Sequence, residues 1–193
     1  MPQKWTTIRL TAPQSLGVSV SEAKDHLRIA ASDTEQDTLI QTLIESSIEK
    51  VQRDTGKQLI TATFRQEGET FDDAGDFKYG PVTSVTSVKY LDTDGVEQTL
   101  DPSVYSFDSG RQIIKLSHGQ EWPEVAVYDS AVKVEYVAGY GADETCVPRM
   151  LKSAVLLMTA QLFFEPDGGD YHNPATLNAY ERIIDSLMRS SYP

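Results

Sequence analysis

Two segments with the periodicity of amphipathic helices enclose a long stretch with the patterns of β-strands. The first helical segment runs from Ser32 to Asp54 and closes at Gly56, and the second follows Pro148. The residues between them are rich in β-branched side chains, aromatic side chains and turn signals. This order predicts an α+β protein, in which N-terminal and C-terminal helices form a helical core and an antiparallel β-rich domain is inserted between them.

The N-terminal helices have recognisable start and stop signals. Ser19 with Glu22, and Ser32 with Glu35, both fit the capping box, in which two side chains satisfy free backbone N–H groups at a helix start. Gly56 suits the left-handed position that follows a helix end. We therefore expect a short helix after Ser19 and a long one after Ser32.

The C-terminal helices are predicted in the same way. Pro148 suits the first turn of a helix that runs to about Phe164 and has little polar surface, so we expect it at the centre of the core. Asn173 and Pro174 would cap and start a last helix after a glycine-containing turn.

The middle of the chain alternates as strands do. In the clearest strand, Val132, Val134 and Tyr136 would face one way and the polar residues between them the other. The turn residues Thr93-Asp94-Gly95 predict a hairpin. The predicted strands are Leu59–Phe64, Val85–Leu91, Val96–Leu100, Tyr105 with Phe107, Ile113–Leu116 and Ala131–Val137.

These patterns divide the chain into three parts. Residues 1–17 contain helix-breaking Pro and Gly and are predicted to form an extended arm. Such an arm either folds onto its own domain or reaches a neighbouring subunit. Residues 18–57 and 146–193 form the predicted helical core, and residues 58–145 form the predicted acidic β-rich insert.

The formal net charge is −12. When the chain is divided after residues 56 and 145, this charge is uneven: residues 1–56 carry −2, residues 57–145 carry −9 and residues 146–193 carry −1. Without a basic stripe, ordinary binding to nucleic acid phosphates is not expected. An acidic surface repels DNA, which is useful where DNA must slide past without sticking.

No catalytic, cofactor-binding or metal-binding constellation is predicted. The three histidines, His26, His118 and His172, lie far apart in sequence, and the single cysteine, Cys146, has no recognisable base near it. The acidic loop of Asp72, Asp73 and Asp76 is typical of a solvated surface. Asp92 starts a sequence like a calcium loop, but Gly and Glu are missing from the positions that such a loop requires.

The first residues lack the pattern of a signal peptide, and no apolar run approaches the ~20 residues of a membrane span. We therefore expect synthesis in the cytoplasm and no membrane partner.

The order of several short segments resembles that of the head–tail connector, or adaptor, proteins of tailed bacteriophages and of phage-derived particles such as gene transfer agents. The resemblance covers about residues 16–165. The segments that carry it are SEAKDHLR (21–28), DTLI (37–40), TGKQLITAT (55–63), VTSVTSVKYLD (82–92), Gly95-Val96, LDPSVY (100–105), Trp122-Pro123, YVAGYG (136–141) and VPRMLK (147–152).

The resemblance implies a structural virion protein without enzymatic activity. It implies a homo-oligomeric ring, commonly of twelve subunits, in the neck of the particle at the head–tail interface. Such a ring binds below the portal protein, extends the channel through which DNA passes without sequence-specific binding, and offers a docking platform for the stopper or tail protein. It implies no cofactor.

Two surfaces are predicted to make these contacts. The broad apolar stripe of Leu39, Ile40, Leu43 and Ile44 would meet neighbouring subunits, since ring contacts require apolar surface on two sides of the core. By analogy with related proteins, the C-terminus would face the portal, with Leu187, Met188, Arg189 and Tyr192. The sequence leaves open whether the β-rich insert faces the channel or points outward.

Two other functions remain as alternatives. One is a different particle component, such as a tail-completion or baseplate protein. The other is a glycan hydrolase that uses the paired carboxylates Glu67 and Glu69, which alternate on one strand as a glycosidase pair would. A solvated strand face explains these carboxylates more simply.

Overall fold

The chain is a mixed α and β protein, which confirms the predicted fold class. The computed structural model describes residues 5–72, 74–164 and 174–189. The helices are α1 (Val20–Leu27), α2 (Asp37–Thr55), α3 (Arg149–Phe164) and α4 (Pro174–Arg189). The strands are β1 (Thr6–Arg9), β2 (Ala62–Gly68), β3 (Val82–Leu91), β4 (Glu97–Thr99), β5 (Tyr105–Asp108), β6 (Ile113–Leu116) and β7 (Val132–Ala138).

The chain folds into two compact units. Residues 1–12 and 61–139 form the first, which we call the sheet unit. Residues 13–60 and 140–193 form the second, which we call the helical unit. The chain enters the sheet unit twice, because the N-terminal strand belongs to it.

The sheet unit contains a five-stranded sheet in the order β1-β2-β7-β3-β4, with every neighbouring pair antiparallel, and a separate β5-β6 hairpin. The alternation predicted for β7 is present: Val132, Val134 and Tyr136 are buried, whereas Lys133 and Glu135 are only partly covered. β2 follows the same pattern and pairs with β7 in register. One face of the sheet is therefore apolar and covered, and the other is polar.

Two close approaches hold loops against the covered face. At Gly75, an added Cβ would lie 3.1 Å from the carbonyl oxygen of Ile114 and still closer to its backbone nitrogen, so the backbones nearly touch. At Gln112, the side-chain amide accepts a hydrogen bond from the Val82 N–H and donates one to the Val82 carbonyl at 3.2 Å. Gln112 thereby ties the β5-β6 turn to the start of β3. Its φ of 57° lies in the left-handed region, which residues other than glycine seldom adopt.

The predicted hairpin turn joins β3 to β4. The carboxylate of Asp92 accepts hydrogen bonds from the N–H groups of Asp94 and Val96, at 3.1 and 2.9 Å. Gly95 follows with a φ of 78°, a conformation that favours glycine. Since both oxygens of Asp92 serve the turn and Gln98, the hairpin interpretation of this sequence is confirmed.

The first strand of the insert begins later than predicted. The expected strand was Leu59–Phe64, whereas β2 starts at Ala62. Leu59 and Ile60 are buried in the core of the helical unit, and the Leu59 N–H donates to the side chain of Gln52 at 3.2 Å. Their apolar character reflects packing among helices rather than membership of a strand.

The N-terminal arm folds onto its own chain. β1 pairs with β2, and the indole N–H of Trp5 donates to the Asp72 carbonyl at 3.3 Å. The Trp5 ring lies flat over Gly68, where an added Cβ would approach ring carbons to 2.6 Å. Glycine at the end of β2 thus makes room for the aromatic anchor of the arm.

The helical unit buries a single apolar cluster. α1 begins with the predicted capping box: the Glu22 N–H donates to Ser19 Oγ at 3.2 Å, and the Ser19 N–H donates to the Glu22 carboxylate at 3.1 Å. α2 ends at Gly56 in the left-handed conformation, also as predicted. The largest fully buried side chains of the cluster are Ile40, Ile44, Leu59, Leu151, Val18 and Val51.

The second predicted capping box is wrong. α2 begins at Asp37 rather than after Ser32, and its first turn has no side-chain cap. The segment between α1 and α2 is instead organised by Lys24, whose ammonium group donates to the carbonyls of Ala31 and Asp33 and to the Asp37 carboxylate, at 3.2, 2.6 and 2.8 Å. All three N–H groups of the ammonium are hydrogen-bonded, and these bonds compensate for the almost complete burial of the lysine.

We expect Lys24→Met to destabilise the helical unit by about 2–3 kcal/mol, because hydrogen bonds to a charged group are lost and two carbonyls are left without a donor. Lys115→Met is a matched control, since Lys115 makes an exposed ion pair with Asp108, worth at most about 1 kcal/mol. Urea denaturation followed by far-UV circular dichroism measures both. Equal stabilities of the two variants would contradict the structural role of Lys24.

The structural units share the negative charge equally. Residues 1–12 and 61–139 contain eight basic and fourteen acidic residues, and the rest of the chain contains nine and fifteen, so each unit carries −6. The imbalance expected from the sequence disappears because Lys4 and Arg9 belong to the sheet unit, whereas Lys57, Asp143 and Glu144 belong to the helical unit. The acidic surface is therefore a property of both units.

Candidate subunit interface

The predicted apolar stripe on α2 is divided between core and surface. Ile40 and Ile44 have no exposed surface and lie in the core of their own helical unit. Leu39 is half exposed, and Leu43 is partly covered. Contact of this stripe with a neighbour stays a prediction, and the side chains that remain free to make it are Leu39 and part of Leu43.

The predicted portal-facing residues are also divided. Leu187 is buried, whereas Met188, one residue later, is half exposed. Arg189 is the last residue of α4, and its side chain lies outside the described residues, as does Tyr192. Met188 is thus the described side chain of this group that is available to a partner.

A polar contact ties α4 to α2. The Tyr180 hydroxyl donates to the Asp54 carboxylate at 2.7 Å, and Lys50 makes an ion pair with the same carboxylate at 2.7 Å. Burial raises the pKa of Asp54, but the hydrogen bonds from Lys50 and Tyr180 outweigh burial and leave it below its ordinary value. Burial, reinforced by the Asp54 carboxylate, raises the pKa of Tyr180 well above its ordinary range.

This contact predicts a pH dependence of stability. A carboxyl whose pKa is lowered by folding stabilises the protein above its unfolded pKa, here 3.8, and the contribution is lost as the pH falls through the lower folded pKa. Asp54→Asn should therefore cost about 2 kcal/mol at neutral pH and less at pH 3, which lies below the unfolded pKa. Glu22, whose pKa is lowered by Lys152 and Ser19 against burial, leaves a residual acid sensitivity in the variant.

Urea denaturation at the two pH values measures this effect. Tyr180→Phe is the matched control: it removes one hydrogen bond and keeps the Lys50 pair, so its stability should lie between the wild type and Asp54→Asn. A cost of Asp54→Asn that is the same at both pH values would contradict an ionised Asp54 at this contact.

Several apolar side chains outside these two predicted surfaces are also exposed. Met150 and Phe164 lie at the two ends of α3 in the helical unit. In the sheet unit they are Ile8, Leu10, Val96, Val127 and Tyr128. Val127 is fully exposed and, with Tyr128, lines a shallow groove together with Glu69 and Thr70. Apolar residues in a segment without helix or strand periodicity are the sequence signal that marks this loop.

The residues weighed as catalytic or metal-binding candidates in the sequence are dispersed in the structure. Among the described residues, no cluster of three His, Cys, Asp or Glu side chains is arranged to hold a metal ion. β2 ends at Gly68, so Glu69 lies beyond the strand, and Glu67 makes an ion pair with Arg65 at 2.8 Å. Cys146 is exposed beside Gly141. Asp73 and His172 lie outside the described residues, as does the predicted cap Asn173.

In residues 5–72, 74–164 and 174–189, no helix is both long and apolar enough to cross a membrane.

Comparison with solved structures shows a shared fold. The chain resembles a protein in the virion of a native gene transfer agent particle, with a TM-score of 0.74 and 24% identity, over 92% of this chain and 94% of the other. It also resembles proteins in the neck of an empty gene transfer agent particle computed with C6 symmetry (TM-score 0.69, 24% identity) and in the neck of a native particle computed with C12 symmetry (0.67, 23%). Both of these matches cover the same shares of the two chains.

The sequence comparison is consistent with the fold. No curated protein gives a significant match to the chain. Residues 18–107, which include α1, α2, strands β2 to β4 and most of β5, match the sequence model of the family described as phage gp6-like head-tail connector protein. The resemblance predicted from the sequence is thereby confirmed: residues 18–107 are similar to the gp6-like head–tail connector proteins.

Proposed function

We propose that this protein is a structural connector in the neck of a phage-like particle, where copies of it form a ring. The family match over residues 18–107 carries the proposal. The fold shared with proteins from gene transfer agent necks supports it, because those necks were computed with C6 and C12 symmetry. By analogy we assign twelve subunits to the ring.

Exposed apolar side chains support assembly. A ring subunit meets two identical neighbours through two different patches, so apolar surface is needed in more than one place. Leu39 in the helical unit and Val127 with Tyr128 in the sheet unit are exposed apolar residues of this kind. Burial of these side chains against a neighbouring subunit would remove apolar surface from water and so favour association.

The charge supports a channel that does not hold DNA. Twelve copies at −12 each would carry about −144 formal charges, and both units contribute equally. In our proposal the ring sits below the portal protein, extends the DNA channel, and offers its other side to a stopper or tail protein. Met188 at the end of α4 is assigned to the portal side, as predicted from the sequence.

Negative-stain electron microscopy of the purified chain, alone and mixed with the portal protein of the same particle, tests the proposal. We expect rings, either free or on the portal. A chain that stays monomeric and never joins the portal would contradict a connector function. Leu39→Asp is an informative companion variant, because it changes an exposed side chain and should leave the monomer folded.

A further inference from the structure

The five-stranded sheet ends in two open edges of opposite charge. β1 forms one edge and β4 the other. Residues 5–12, which include β1, contain one basic residue, Arg9, and no acidic residue, whereas residues 91–104, which include β4 and its flanking turns, contain four acidic and no basic residues. The two edges of one sheet are therefore electrostatically complementary to each other.

The β1 edge offers free backbone groups beside apolar side chains. The Leu10 N–H donates to the Thr63 carbonyl at 2.8 Å, and backbone groups alternate between the two sides of an antiparallel strand. The N–H and C=O groups of Thr7 and Arg9 therefore point away from β2, where no described strand covers them. Ile8 and Leu10 are both 42% exposed. Arg9 is exposed and makes no ion pair with any residue that the structure describes.

The β4 edge is arranged in the same way with the opposite charge. The Leu100 N–H donates to the Val88 carbonyl at 2.8 Å, so the backbone groups of Glu97 and Thr99 point outward. Glu97 is partly neutralised by the lysines of β3 and β7, at 3.4 and 2.6 Å. Asp94 and Asp101, on either side of the strand, form no ion pair within the described part of the chain.

The charges also decide which edges can meet. Pairing of two β1 edges would bring basic residues together, and pairing of two β4 edges would bring acidic residues together, so both symmetric contacts are unfavourable. Pairing of β1 with β4 is favourable. Four antiparallel steps separate these strands in the sheet, so they run in the same direction. A rotation that carries one copy onto the next would therefore place them side by side in parallel.

We propose that the β1 edge of one copy of this chain docks in parallel against the β4 edge of the next copy. The inference rests on the ring proposed above and names surfaces that join its subunits. Because two different edges meet, the contact repeats in one direction and is satisfied for every copy only when the ring closes. It covers Ile8 on one copy and Val96 on the other, both of which are exposed in the single chain.

Charge reversal is the first test. Arg9→Glu should weaken association about tenfold or more at low salt, because it places a carboxylate against the acidic edge. The double variant Arg9→Glu with Asp101→Lys should regain much of the loss. Arg111→Glu is the matched control, since Arg111 is an exposed basic residue of the same unit that lies in the β5-β6 turn, outside the five-stranded sheet. Analytical ultracentrifugation measures association, and circular dichroism confirms that each variant is folded.

Crosslinking is the second test and does not require a stable ring. Ile8→Cys and Thr99→Cys are combined in a Cys146→Ser background. Ile8 lies opposite Arg65 and Thr99 lies opposite Lys89, so both cysteines would be on the polar face of the sheet. A bismaleimide that spans about 10 Å tolerates a shift of two residues, about 7 Å. We expect a ladder of covalent multimers from the double variant, and no species beyond dimers from either single variant.

The outcomes separate this inference from the proposed function. Rings that form equally well with Arg9→Glu, or the absence of a ladder, would overturn the edge contact and leave the connector function intact. A ladder from a chain that never joins the portal would support the edge contact and count against the connector function. Absence of both the ladder and portal binding would overturn both.

Discussion

Gly75→Ala is expected to destabilise the sheet unit by about 3 kcal/mol or more. An added Cβ would clash with the backbone nitrogen of Ile114 and lie 3.1 Å from its carbonyl oxygen. Overpacking usually costs about 1–3 kcal/mol when side chains can yield. Here the obstacle is the backbone of β6, which cannot rotate away, so the loop or the β5-β6 hairpin must shift. In a unit of this size the midpoint of thermal unfolding should fall by roughly 10–20 °C.

Gly110→Ala is the matched control. It lies in the turn between β5 and β6, and the nearest atom to an added Cβ is a carboxylate oxygen of Asp108 at 3.5 Å, an ordinary contact. Its effect should stay within about 0.5 kcal/mol, helped by the lower flexibility of alanine in the unfolded chain. Differential scanning calorimetry measures both variants. If they unfold at the same temperature, the loop does not approach β6 as described.

Ile44→Ala is expected to destabilise the helical unit by about 2–5 kcal/mol. Ile44 has no exposed surface and lies in the apolar cluster of α2 and α3. Its truncation removes buried methyl groups and leaves a cavity, and both effects lower the free energy of unfolding. Guanidinium denaturation of the monomeric chain measures the cost directly.

Leu39→Ala on the same helix separates folding from assembly. Leu39 is half exposed, so its truncation should change the stability of the monomer by less than about 0.5 kcal/mol. If the α2 stripe contacts a neighbouring subunit, ring formation should weaken in this variant while the monomer stays folded. Unchanged assembly would remove Leu39 from the interface, and a stability loss equal to that of Ile44→Ala would contradict its exposure.

Most of the fold could be predicted because its signals are local. Three of these signals act within a few residues, so they can be recognised in the sequence, and all are present in the structure: the capping box at Ser19, the glycine after α2 and the turn at Asp92. The alternation of β7 is equally local, because the strand period is two residues. The motifs between residues 21 and 152 led to the resemblance to connector proteins for the same reason: each is contiguous, and they are ordered along the chain.

The errors arose where a distant residue overrode the local pattern. Ser32 and Glu35 have the spacing of a capping box, but Lys24 binds the carbonyls of the same segment and delays α2 to Asp37. Leu59 has strand-like neighbours, yet its N–H is bound by the side chain of Gln52. In both cases a side chain outside the local window offered the backbone a better hydrogen bond.

The interface was the least predictable part. Amphipathic periodicity marks an apolar face, but it does not say which residues of that face are covered by the same chain. Ile40 and Ile44 lie in the core and Leu39 is exposed, although all three belong to one stripe. Burial depends on where α3 and α4 pack, which is a long-range property.

By itself the sequence determined the fold class, most helix and strand elements, the net charge and the relationship to connector proteins, because each depends on local pattern or on composition. Only the tertiary structure decided how the chain is partitioned. It assigned the N-terminal strand to the sheet and residues 140–145 to the helical unit, and it placed Arg9 at one edge of the sheet and the acidic hairpin at the other. These strands are about ninety residues apart in sequence, and strand order is set by hydrogen-bond pairing across the whole unit, which no local pattern encodes.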